Sequence, residues 1–230
     1  MLYLVGSPIG NLGDITLRAL AVLKEVAVIA AEDTRRSSIL LNRFEISKPL
    51  VSFHEHNEAR RTSELLEKMR AGDKVALLTD AGMPSISDPG YRIVRACIEN
   101  GIRVEVIPGP SALLTALVGS GLPTDRFYFG GFLPVKSGQR ERELLAALAR
   151  EVTSIYFESP HRIIRSLEVI GRENPTRLIC VARELTKQFE EYRRGEASTV
   201  CAHYVVHPPK GEITLLISGS KAVRGSYEKN

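Results

Sequence analysis

The chain has 230 residues, 43% of them hydrophobic and 25% charged, with a formal net charge of +4. That balance builds an ordinary globular core and excludes a disordered or low-complexity chain. The three cysteines (Cys97, Cys180 and Cys201) lie far apart with no CxxC pair, which argues against a disulfide framework or a zinc cage.

The first apolar run, residues 2–5, has strand length and no polar alternation. Strands buried on both faces of a parallel sheet read this way. Nothing before it resembles a basic, apolar leader, and no apolar run approaches the ~20 residues that span a bilayer. A cytoplasmic protein is therefore expected. The run leads into Gly6-Ser7-Pro8-Ile9-Gly10-Asn11-Leu12-Gly13. These glycines do not make the dinucleotide fingerprint GxGxxG, and no Gly-Lys-Ser/Thr makes a P-loop. Glycine here either lets backbone approach a ligand or simply turns the chain.

A helical pattern at 15–24 precedes a second strand at 26–30. That strand ends in Ala31-Glu32-Asp33-Thr34-Arg35-Arg36. Two acids, a hydroxyl and two arginines suit a substrate site, or equally a helix N-terminus with acids placed for the dipole. A helix at 36–44 and a short strand at 49–53 follow. His54 and His56 form an HxH pair without a third ligand at metal-site spacing. A polar rim, with Asn57 capping a helix at 58–69, is expected instead.

The most apolar strand, 75–79, feeds Thr79-Asp80-Ala81-Gly82-Met83-Pro84-Ser85-Ile86-Ser87-Asp88-Pro89-Gly90. A connection this elaborate costs backbone entropy and points to a ligand pocket. Asp88-Pro89 is expected to cap and open the helix at 91–99. A strand at 104–107 then meets Pro108-Gly109-Pro110-Ser111-Ala112, with Ser111 capping a helix at 111–119. The free N–H groups of such a helix start can meet a carboxylate or hydroxyl.

Glycines and proline cluster at 119–123, the expected linker. Beyond it come strands at 127–132, 154–157, 178–182 and 212–217 and helices at 139–149 and 162–170. The clusters Phe157 to Arg162 and Ala182 to Lys187 mix acids with bases at strand ends. The tail from residue 221 is polar and expected to be loose. The βαβα alternation predicts two α/β domains, 1–118 with a mainly parallel sheet and 119–230 with a mixed sheet.

Taken in register over nearly the whole chain, six of these segments resemble the tetrapyrrole methylase family of S-adenosylmethionine (AdoMet)-dependent methyltransferases. They are Val5 to Leu12, Ala31 to Arg35, Thr79 to Gly90, Pro108 to Ala112, Phe157 to Arg162 and Ala182 to Lys187. The closer likeness is to its ribosomal RNA 2′-O-methyltransferase branch. The resemblance implies AdoMet folded between two α/β domains, a homodimer, and a cytidine ribose 2′-hydroxyl in the decoding region of 16S rRNA as acceptor. It implies a largely backbone cofactor pocket of Pro8, Asp80, Ala81, Gly82, Met83, Ser85, Ser111 and Ala112, and no metal. Longer members of this branch continue into a further C-terminal helical segment.

Methyl transfer from a sulfonium is an in-line displacement that rewards alignment, and a ribose hydroxyl gains from partial deprotonation. Glu158, His161 and Asp33 are the candidate bases, unranked by sequence. Arg35, Arg162 and Arg183 are expected to hold phosphates. The alternatives are a methylase of a corrinoid or porphyrin precursor and a non-catalytic RNA-binding module.

Overall fold

The computed structural model describes residues 1–221 and divides into two compact α/β units, Met1–Ser111 and a second from Ala112 onward. The expectation for the tail falls, beyond residue 221, outside the described residues.

The first unit runs β1 (Leu2–Val5), α1 (Leu17–Glu25), β2 (Val28–Ala31), α2 (Thr34–Arg43), β3 (Leu50–Ser52), α3 (Glu58–Arg70), β4 (Val75–Leu78), α4 (Tyr91–Glu99) and β5 (Val104–Ile107). Its five strands are all parallel, in the order β3-β2-β4-β1-β5. Because side chains alternate along a strand, β1 feeds two cores. Tyr3 and Val5 pack with Ala19, Leu23 and Leu40 of α1 and α2. Leu2 and Leu4 pack with Leu65, Met69, Ile93 and Cys97 of α3 and α4. Burial on both faces explains why β1, β2 and β4 are continuous apolar runs.

Local capping departs from expectation at two helices. Thr16 accepts from Ala19 N and Asp33 from Arg35 N in the ordinary N-cap manner. Asn57 instead turns away from α3, accepting from His54 N and donating to Ser52. Asp88 does not cap α4, whose N-cap is Gly90 at φ 138°. The α4 start is capped from another helix: Glu58 Oε1 accepts from Gly90 N at 3.1 Å and Arg92 N at 3.3 Å.

The second unit runs α5 (Ala112–Ser120), β6 (Phe127–Phe132), α6 (Ser137–Ala149), β7 (Thr153–Glu158), α7 (Ile163–Glu173), β8 (Leu178–Arg183), β9 (Glu191–Glu196), α8 (Ala197–Val206) and β10 (Ile213–Ile217). Its sheet is mixed, in the order β6-β7-β10-β8-β9, with β6 and β7 parallel and the other neighbours antiparallel. Leu144, Leu167, Ile170, Val200 and Tyr204 from three helices pack on Tyr156, Val181 and Leu215 of the sheet. The sequence places α5 in the first domain and the boundary at 118/119. By packing, the first compact unit ends at Ser111, and α5 goes with β8, β9 and β10. Neither β9 nor α8 was expected from the sequence. No described helix is long and apolar enough to cross a membrane.

Candidate functional site

In an open parallel sheet, ligands bind beyond the carboxyl ends of strands where neighbouring connections leave on opposite faces. Strands β1 and β4 are such neighbours: β1 leads to α1 in one core, β4 to α4 in the other. The loops after β1, β4 and β5 meet here. Ser7 N donates to Gly82 O at 2.9 Å and Gly82 N to Ser7 O at 3.1 Å, a two-way backbone bridge. Ser7 Oγ also donates to Thr79 O at 3.1 Å. A Cβ placed on Gly6 would lie 2.7 Å from Gly109 Cα and 2.8 Å from Met83 Sδ. Only glycine allows that approach. Gly82, at φ 84°, holds a left-handed conformation that other residues adopt at a cost.

The Thr79 to Gly90 loop is strained beyond its glycines. Ser85 and Ser87 sit at φ 71° and 61°. Non-glycine residues in this region cost about 1–3 kcal/mol each and cluster at ligand sites. The buried Ser85 hydroxyl has no hydrogen-bond partner among the described residues. A connection that bends this far to place Gly82 beside Ser7, Ile9 and Pro110 has the form of a ligand cradle.

Three carboxylates edge the cradle. Asp80 Oδ1 accepts from Asp33 N at 3.0 Å, Asp80 Oδ2 lies 3.4 Å from Arg36, and Asp80 N donates to Glu32 at 3.3 Å. These contacts tie the β4 loop to the end of β2. Burial pushes Asp88 up to about 7, with the Glu32 charge adding to the shift. Burial also raises Glu32, against the opposing hydrogen bond from Asp80 backbone. An acidic edge beside a backbone cradle suits a ligand that carries positive charge, as a sulfonium with an ammonium group does. Of the residues expected at the cofactor, Gly82 and Met83 lie at this junction of loops, Ser85 sits in the strained segment, Asp80 contributes a locked side chain, and Ala112 is the first residue of α5.

The candidate bases differ sharply in setting. Asp33 caps α2 and pairs with Arg35 at 2.7 and 3.0 Å, and that hydrogen bonding holds its carboxyl down at about 2. Glu158 was expected to face an acceptor. Its side chain is instead fully buried, accepting from Ser159 N at 2.7 Å and Ser166 Oγ at 2.9 Å and pairing with Arg162 at 2.7 Å. His161 is exposed, and its N–H donates to Ser159 Oγ at 3.2 Å. The three phosphate-binding candidates each face a carboxylate: Arg35 faces Asp33, Arg162 faces Glu158, and Arg183 faces Glu191 at 3.1 Å.

The sequence reading missed Glu58, which shapes the strained loop from another helix. Its only signal was an acid at a helix start, which the dipole already explains. His54 and His56 stack edge to face at 5.9 Å. No group of ligating side chains suited to a metal occurs among the described residues.

The family model described as Tetrapyrrole (Corrin/Porphyrin) Methylases matches residues 1–201. A curated relative from Thermotoga maritima named ribosomal RNA small subunit methyltransferase I is 48% identical over 221 residues, 96% of this chain and 99% of that one. A relative of the same name from Haemophilus influenzae is 45% identical over 226 residues, 95% of this chain and 78% of its own. Among solved structures, a diphthine synthase aligns with a TM-score of 0.71 at 14% identity, covering 94% and 89% of the two chains. The uroporphyrin-III-C-methyltransferase of Thermus thermophilus aligns at 0.65 with 22% identity, covering 95% and 94%. Likeness at that level is likeness of fold.

Proposed function

The chain belongs to the tetrapyrrole methylase family and is an AdoMet-dependent methyltransferase of small-subunit rRNA, and from that premise we propose that it methylates the ribose 2′-hydroxyl of a cytidine in the decoding region of 16S rRNA. The observation that carries the donor half is the cradle at the ends of β1, β4 and β5, where Gly6 and Gly109 touch and Ser7 bridges Gly82. The acceptor half is supported by relatives that match almost end to end. A cytoplasmic homodimer is part of the same reading.

When bound, AdoMet supplies an electrophilic methyl on a sulfonium. The chain's own task is to align, desolvate and move a proton. Pro8, Asp80 to Met83, Ser85, Ser111 and Ala112 form the donor pocket. The glycines let main-chain groups reach the ligand, and the ties from Asp80 to Asp33 and Arg36 keep the loop from relaxing. Preset geometry of this kind lowers the barrier by reducing reorganisation.

His161 is the residue we assign to take the hydroxyl proton. Among the three candidates it alone is exposed without a carboxylate committed elsewhere. Glu158 acts as a positioning residue: it accepts Ser159 N while the Ser159 hydroxyl accepts His161 N, so the buried carboxylate sets the loop that carries the imidazole. Asp33, held at about 2 by Arg35, is a weak base at neutral pH. Arg35, whose side chain is 89% exposed, remains able to meet a phosphate beyond Asp33. Arg183 and Arg162 are more enclosed and contribute through the second unit.

The test is mass mapping of rRNA after incubating small subunits that lack the modification with the protein and labelled AdoMet. The expected product is one methyl on a cytidine ribose. A methyl on a base, or none, overturns the acceptor assignment. His161→Ala should lower the rate at least a hundredfold with AdoMet affinity retained, about what removal of an acid–base group costs.

A further inference from the structure

The second unit contains a cavity of about 340 Å³ that the reading above touches only through Arg183. It is bounded by Arg183 from β8, Phe189 before β9, His203 and Tyr204 in the last turn of α8, and His207 and Lys210 beyond it. Its volume lies at the small end of ligand cavities, which limits an occupant to about one nucleotide.

Flat rings dominate the walls. His203 lies 5.1 Å from the Tyr204 ring and 5.0 Å from the His207 ring, so three rings cluster at the C-terminal end of α8. Phe189 is 65% exposed, a large aromatic with little protein around it. Tyr204 is 1% exposed, and its hydroxyl is buried without a hydrogen-bond partner among the described residues.

The charge is positive. Glu191 is the one acid on the wall, and it is neutralised twice: Oε1 accepts from Arg193 at 2.7 Å and Oε2 from Arg183 at 3.1 Å. Arg183 is further fixed by donating to Lys210 O at 3.2 Å, which holds the guanidinium at the rim. Lys210 adds a second cation there.

We infer that this cavity receives one unstacked nucleotide of a single-stranded RNA segment, its base against the His203, His207 and Phe189 rings and its phosphate toward Arg183 and Lys210. Stacking on aromatic faces accepts any base, and proteins that recognise RNA take hold of splayed bases in loops. A bare anion would have no use for the rings. The inference rests on the reading of the chain as an RNA methyltransferase and adds to it a hold on the substrate strand by residues of the second unit.

The test uses the whole chain and a fluorescein-labelled single-stranded RNA of about ten nucleotides, with anisotropy read at fixed salt. Phe189→Ala and the double change His203→Ala with His207→Ala should each weaken binding about tenfold, as loss of a stacked base does. Tyr204→Phe, which keeps the ring and removes only a buried hydroxyl, should bind as the unmodified protein does. All three should bind AdoMet by calorimetry as the unmodified protein does, which shows that they fold. The inference fails if the unmodified protein does not bind the RNA, or if the Phe189 and His203 with His207 variants bind it unchanged. It also fails if inorganic phosphate displaces the RNA while the ring variants behave normally, since the cavity is then an anion site. If the RNA binds as expected but unmodified subunits gain no methyl, the cavity stands and the proposed acceptor falls.

Discussion

Gly6 and Gly109 touch backbone to backbone: a Cβ on Gly109 would stand 2.9 Å from Gly6 Cα and from Gly6 O. Gly109 does not need a positive φ, so the constraint is space alone. Overpacking of this kind costs about 1–3 kcal/mol. Gly109→Ala should therefore lower Tm by several degrees and, by prising the β1 and β5 loops apart, reduce AdoMet affinity tenfold or more. Differential scanning calorimetry and titration calorimetry measure the two effects. Unchanged affinity would remove these loops from the donor pocket.

Glu58 caps a helix it does not belong to. Its carboxylate serves Gly90 N and Arg92 N and lies 3.7 Å from Arg92 Nε. Glu58→Ala should destabilise the protein by about 1–2 kcal/mol, the scale of a lost N-cap. Glu58→Gln keeps a carbonyl acceptor and should lose less than half of that. Urea denaturation of both variants gives the comparison.

Asp88 gives the stability a pH dependence of defined sign. Its folded value of about 7 stands above the 3.8 of an unperturbed aspartate, because burial disfavours the charge and Glu32 repels it. The folded state thus holds the extra proton between about pH 4 and 7, and stability falls as pH rises through that window. Asp88→Asn should flatten the fall and raise stability at pH 8 by about 1 kcal/mol or more, roughly 2–4 °C in Tm for a chain of this size. At pH 4 the variant and the original should match. A variant less stable at pH 8 would contradict the sign.

Glu158 is buried against Arg162, Ser166 and Ser159 N. Glu158→Leu strands the Arg162 charge and should cost about 3–5 kcal/mol. Glu158→Gln should be milder, and it separates positioning from proton transfer. If Glu158 only places His161, the glutamine variant keeps the pH profile of methyl transfer while its rate drops.

How much was legible in the sequence follows from where each signal resides. Leu2–Val5, Tyr91–Glu99 and Val104–Ile107 appear where the apolar pattern puts them, because burial on both strand faces or on one helix stripe writes itself into periodicity. Strand β9 was illegible: Glu191-Tyr192-Arg193-Arg194-Gly195-Glu196 is polar and becomes a strand by pairing along β8 at the sheet edge. Helix α8 was missed because its run of small and apolar residues shows no amphipathic stripe. At the site, the Thr79 to Gly90 loop announced itself through its glycines, prolines and serines. The partners of Glu158 and the cap from Glu58 did not, since they depend on which helix starts meet in space. Segment order also could not show that Arg35, Arg162 and Arg183 would each face an acid.

The Ser7–Gly82 bridge joins residues 75 positions apart, and the Gly6–Gly109 contact spans still more chain. Contacts of such long sequence separation form late, after the loop-closure entropy between them has been met. During synthesis the donor cradle cannot exist until the chain has emerged past residue 109, however well β1 to β4 have already formed. With the donor pocket placed as proposed, cofactor affinity reads out completed assembly of the first sheet, and a chain that stops short of β5 should have none.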